Sequence, residues 1–121
     1  MSDNFIKIAR QEIHAELDNL QQILIQCKDD KDISNNGVTL EKHLHKIKGL
    51  APMIDQNNVG EIAKLNDSIL RHVIENGTLS GTYQVIMESI QIMQEIFNDT
   101  NKKNTEEFKN KIRKNFSHIL K

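Results

Sequence analysis

Apolar residues recur at steps of three and four along most of the chain, and each such run predicts a helix with one buried stripe. Ile6, Ala9, Ile13, Leu17, Leu20, Leu24 and Cys27 draw the first stripe and predict a helix over about 4–28. The charged and polar stretch from Asp29 to Gly37 breaks the period and reads as a connecting loop. A second helix is predicted over about 39–54, burying Leu40, Leu44, Ile47, Ala51 and Ile54. Asn58 with Glu61 three residues on has the form of a capping box, which starts a third helix over about 58–76. Val59, Ile62, Ile69, Leu70 and Val73 face inward there, and Gly77 is placed to end it in a left-handed cap. Tyr83, Ile86, Ile90, Met93 and Phe97 mark a fourth helix over about 81–97. Asn104 with Glu107 repeats the capping form, and Phe108, Ile112, Phe116, Ile119 and Leu120 predict a fifth over about 105–120. No strand pattern competes with these helices.

Amphipathic helices joined by short connections bury their stripes only against one another. The expected fold is all-α, an antiparallel up-and-down four-helix bundle with an additional C-terminal helix, in a single domain over residues 1–121. Pro52 denies the Lys48 carbonyl its helical partner and is expected to kink or end the second helix.

Composition narrows the partners. The formal net charge of −1 supplies no global cationic field for a nucleic-acid backbone or an anionic membrane surface. No run approaches the roughly 20 apolar residues of a membrane-spanning helix. Cys27 is the only cysteine and closes no intrachain disulfide, and Met1 to Arg10 lacks the apolar run of a secretory signal, so a cytoplasmic setting is expected.

On the second helix, Glu41, His45 and Lys48 share one polar face, opposite Leu40, Leu44, Ile47 and Ala51. His45 is therefore expected at the surface, where a neutral imidazole offers a nitrogen lone pair to an incoming phosphorus. Lys48, one turn on, would screen the charge of a phosphoryl group held there. Gly49 costs the helix about 1 kcal/mol and leaves space for a partner to approach the ring. His14, His43, His72 and His118 read as polar surface residues.

The run His45, Lys46, Ile47, Lys48, Gly49, Leu50, Ala51 resembles the signature of the histidine phosphotransfer domains: His, two residues, Lys, Gly, one residue, then a small residue. The likeness is greatest to the phosphotransfer domains at the N-terminus of chemotaxis kinases and extends over essentially the whole chain. It implies a phosphocarrier in a two-component or chemotaxis relay, which accepts a phosphoryl group on His45 and donates it to an Asp of a receiver domain. It also implies that an acidic residue on the third helix, Asp67 by position, holds the Nδ1–H of the ring and leaves Nε2 to be phosphorylated. From the residues alone, Asp67 reads equally well as a simple surface carboxylate. Lys64 stands where that family carries a second His, and would act as another counter-charge. Asp55 stands where many members carry Gly.

The partners implied are a histidine kinase catalytic domain and a response-regulator receiver domain, met by a monomer that makes no contact with nucleic acid or membrane. No ATP-binding loop is present in the sequence, so the chain is expected to be carrier and substrate rather than enzyme, with no cofactor of its own and any Mg²⁺ supplied by the partner. A di-iron bundle is disfavoured, because no Glu is followed three residues later by His. A helical adaptor that docks partners without chemistry is the alternative; it would need no particular residue at position 45.

Overall fold

The computed structural model describes residues 2–99 and 105–120, and those residues form six helices with no strand among them. They are α1 (Asp3–Ile25), α2 (Asp30–Asn35), α3 (Gly37–Leu50), α4 (Asn57–Asn76), α5 (Thr82–Phe97) and α6 (Thr105–Asn115), with a 3₁₀ turn at Ala51–Ile54 after α3. The predicted stripes meet in one core: Ile13, Leu17 and Leu20 of α1, Leu40, Leu44 and Ile47 of α3, Ile62, Ile69 and Leu70 of α4, and Ile86, Ile90 and Met93 of α5 are all buried. The pairing of α3 with α4 is the most extensive, with α1 against α3 and α5 against α4 on either side. No described helix is long and apolar enough to cross a membrane.

Several boundaries differ from the sequence expectation. The first helix ends at Ile25 rather than near 28, and Cys27 is buried beyond it. The expected loop at 29–37 contains α2, because Asp29 accepts from the Asp32 N–H at 2.9 Å while Asp32 accepts from the Lys28 N–H at 2.8 Å. This reciprocal capping pair starts a new helix, which Ile33 anchors in the core. Pro52 ends the α-helical run as expected: α3 stops at Leu50 and the chain tightens into the 3₁₀ turn. Asp55 closes that turn with φ 61° and ψ 21°, the left-handed conformation in which glycine is at ease and aspartate is tolerated.

The Asn58–Glu61 capping box does not form. The N-cap of α4 is Gln56, which makes no side-chain cap, and Asn58 and Glu61 instead hold Lys109 from α6. Gly77 does end α4 with a positive φ of 95°, but its ψ of −171° is extended rather than left-handed helical. Asn104 lies outside the described residues, so its pairing with Glu107 does too. The last helix is shorter than expected, α-helical to Asn115 and then turning, with Phe116 still in the core.

Two polar devices outside the stripes fasten the ends. Asp30 caps α5 from across the fold, accepting from the backbone N–H groups of Gly81 at 3.0 Å and Tyr83 at 2.8 Å. Its carboxylate thus meets the positive end of that helix. Lys109 is fully buried, and its ammonium donates to Asn58 Oδ1 at 2.8 Å, Glu61 Oε2 at 2.6 Å and Glu106 Oε1 at 2.8 Å, tying α6 to the start of α4.

Candidate functional site

Helix α3 carries His45 on its outer side, because Leu40, Leu44 and Ile47 turn the opposite side into the core. The imidazole is half-exposed, at 53%. Below it lies a cluster of charged groups drawn from α3 and α4. Asp67 of α4 is nearly fully buried, and its Oδ2 receives the Lys48 ammonium at 3.0 Å and lies 3.4 Å from Arg71 Nε. The same oxygen lies 3.7 Å from His45 Nδ1, so ring and lysine share one carboxylate without a hydrogen bond from the ring. Glu41, one turn before His45, brings Oε2 to 3.8 Å from Nδ1 and 3.6 Å from Arg71 Nε.

The expected residues are therefore only partly assembled. His45, Lys48 and Asp67 come together, but Asp67 does not hold the Nδ1–H. Lys64 is exposed and joins no ion pair among the described residues; the second cation at the site is Arg71, one turn after Asp67 instead of one turn before. A Cβ added at Gly49 would meet no atom within 4 Å, so the packing of this chain does not require glycine there. The surface beside the ring is open at that point. Gly60 is the more tightly packed glycine, since a Cβ there would sit 3.0 Å from Pro52 Cγ; its absence lets the turn after α3 lie close on α4.

His43 is a further correction. It is not a free surface residue but sits half-buried, its Nδ1 in close contact with Glu16 Oε2 of α1. Glu16 also lies 3.5 Å from Lys46, so this one carboxylate links α1 to the helix that carries His45. A shallow groove runs between these helices beside His45 and Gly49, floored by Ala15, Leu50 and Met53 and edged by Glu12, Glu16 and Lys46.

Glu41 and Asp67 each bury one carboxylate oxygen, Oε2 and Oδ1, without a hydrogen-bond partner among the described residues. A proton held between them would give each oxygen a partner. The hydrogen bond to Asp67 is the main cause that raises the Glu41 carboxyl above its ordinary value, with burial and the charge of Asp67 adding to it. Burial pushes Asp67 up as well, but its hydrogen bonds with Glu41 and Lys48 and the charges of Lys48 and Arg71 outweigh burial and hold it below the carboxylate range. Of the two, Glu41 is therefore the carboxyl that takes up a proton first as pH falls. A carboxyl raised on folding favours the folded state at low pH, and that contribution is lost as pH rises from the unfolded value of about 4.3 through the folded one. Glu41→Gln, whose amide keeps a donor toward Asp67 at every pH, is thus expected to be more stable than wild type by about 1 kcal/mol at pH 7. Urea unfolding at a series of pH values should show this difference vanish below about pH 4; a variant less stable than wild type at pH 7 would contradict the shared proton.

Glu41, His45 and Asp67 also bring one potential metal-ligand atom each to within 4.8 Å of one another, a grouping that sequence spacing did not reveal. Lys48 and Arg71 already stand against the two carboxylates, and a divalent cation would have to displace them. Comparison with known proteins finds no matching family model, curated relative or solved structure.

Proposed function

We propose that this chain is a histidine phosphotransfer module of a two-component or chemotaxis relay, with His45 as the phosphoryl carrier. The observation that carries this reading is the half-exposed imidazole standing over a carboxylate that also binds Lys48 and Arg71. Such an arrangement would present a nucleophilic ring at the surface with two cations in the same cluster. The antiparallel up-and-down arrangement of α1, α3, α4 and α5, with α6 as the additional helix, belongs to this proposal, as does action as a single cytoplasmic monomeric domain.

In the first step the Nε2 lone pair attacks phosphorus and forms an N–P bond, while the bond from phosphorus to the donor oxygen breaks and its electron pair leaves with the donor. In the second, a carboxylate oxygen of a receiver Asp attacks phosphorus and the N–P electron pair returns to the ring. Lys48 and Arg71 neutralise the phosphoryl oxygens in both directions. Nucleotide, Mg²⁺ and the receiver carboxylate all belong to partners, a histidine kinase catalytic domain and a receiver domain, so the chain acts as carrier rather than enzyme. The groove at Ala15, Leu50 and Met53 offers those partners an apolar foothold next to the ring.

The test is incubation with a histidine kinase catalytic domain and labelled ATP, followed by transfer to a receiver domain. Label that forms on the chain, is lost in acid and passes to the receiver is the expected result. A chain that binds these partners yet takes no label would be a helical adaptor, and label that survives acid would place the phosphate on Ser, Thr or Tyr.

A further inference from the structure

Arg71 is the residue at the site that sequence reading did not anticipate, and among the described residues it alone makes a hydrogen bond to the ring. Its Nη2 lies 3.4 Å from His45 Nδ1. A guanidinium has donors and no acceptor, so this contact requires a lone pair on Nδ1. The other groups facing that nitrogen among the described residues, Asp67 Oδ2 at 3.7 Å and Glu41 Oε2 at 3.8 Å, are both too far to accept a proton from it. Arg71 is also held in place: its Nε is shared between those two carboxylates at 3.4 and 3.6 Å, which aims the rest of the guanidinium at the imidazole.

We infer that Arg71 is a positioning residue that sets the tautomer of His45, keeping the lone pair of the resting neutral ring on Nδ1 and the proton on Nε2. The hydrogen bond made by one imidazole nitrogen decides which of the two carries hydrogen. The assignment is the reverse of a ring held through Nδ1–H by an acidic residue, because here the carboxylates are occupied by Lys48 and Arg71.

The consequence for transfer rests on the phosphocarrier reading. Nε2 becomes nucleophilic only after it loses its proton to solvent and Nδ1 takes one up, a change with no net proton gain, and this requires Arg71 to leave the ring. The half-exposed imidazole exchanges protons with water freely, so the step is a bias rather than a block. A guanidinium released from Nδ1 finds its next partner in the oxygens of an incoming phosphoryl group, while the new Nδ1–H faces Asp67 and Glu41. Arrival of an anionic donor and activation of the ring are thereby coupled through one side chain. The donor class this favours is a phosphoanhydride or acyl phosphate with free anionic oxygens.

Long-range ¹H–¹⁵N correlation on the uniformly labelled full chain, at about pH 8 where an ordinary imidazole is neutral, reads the tautomer of His45 directly. Wild type is expected to show Nε2–H as the major form. In Arg71→Met, which keeps the aliphatic stem of an exposed side chain and removes its donors, the major form is expected to invert to Nδ1–H as the ring turns to the freed carboxylates. A wild-type ring with Nδ1–H in the majority, or the same major form in both proteins, would overturn the assignment. The wild-type spectrum decides its part without any variant. Because no phosphoryl donor is present, this measurement stands or fails separately from phosphotransfer.

Discussion

Lys109→Ala is expected to lower the unfolding free energy by about 3 kcal/mol, measured as a shift of the urea midpoint at constant slope. The substitution removes three hydrogen bonds to one buried ammonium, to Asn58, Glu61 and Glu106, together with the buried stem that carries it. Burial opposes the charge on Lys109, but Glu106 and Glu61 outweigh it and hold the ammonium above the ordinary lysine value. A raised cation contributes stability fully below its unfolded value of about 10.4, and the contribution is lost as pH climbs through the folded one. Wild type should therefore weaken in strong alkali, and Lys109→Ala should lack that decline. Lys109→Met separates the two parts of the effect. It keeps the stem, and Glu61 and Glu106 are exposed enough to turn to water, so its loss is expected to be about half that of alanine. An alanine variant as stable as wild type would mean that α6 is held by Ile112 and Phe116 alone.

Asp67→Ala is expected to slow phosphoryl acceptance by about ten- to a hundredfold and to destabilise the chain by about 2 kcal/mol. Asp67 Oδ2 is the single atom on which Lys48 and Arg71 converge and over which the ring of His45 stands. Without it two cations face each other with only Glu41 nearby, and neither is held where phosphoryl oxygens would arrive. The carboxylate is depressed in the folded state, so its contribution is present above about pH 3.9 and is lost as pH falls through the folded value. Rate and stability are read separately, by timed labelling from a kinase domain and by urea unfolding. Acceptance at the wild-type rate would remove Asp67 from the site, whatever the change in stability.

The buried stripes were legible in the sequence because each is a local property: Ile13, Leu17, Leu20 and Leu24 repeat with the helix period wherever the helix later packs. The outward side of α3 was legible for the same reason, and with it the exposure of His45. What escaped depends on which helix lands on which. Lys109 lies in a polar stretch and reads as solvated; its burial exists only because α6 docks on the start of α4, which also takes Asn58 and Glu61 away from the capping box they spell. Lys64 and Arg71 flank Asp67 by one turn on either side, and spacing does not say which lies beside the ring. That choice is made by where α3 crosses α4. Glu41 was placed correctly on the polar face with His45, but its approach to Asp67, the main cause that raises its carboxyl, depends on how the neighbouring helix packs. Only α2 had a readable signal that was missed, the Asp29 and Asp32 pair around an apolar Ile33.

The most direct measurement needs no partner protein. The chain and its His45→Gln variant are incubated with phosphoramidate near neutral pH, and the sites and rates of modification are followed by mass spectrometry without acid. His14 and His118 are exposed histidines of the same chain and serve as internal references. Lys48 and Arg71 should draw the anionic donor to His45, so wild type is predicted to be modified there first and several times faster than at either reference, with that fast phase missing from His45→Gln. Modification of His45 at or below the rate of His14 and His118 would contradict the phosphocarrier account.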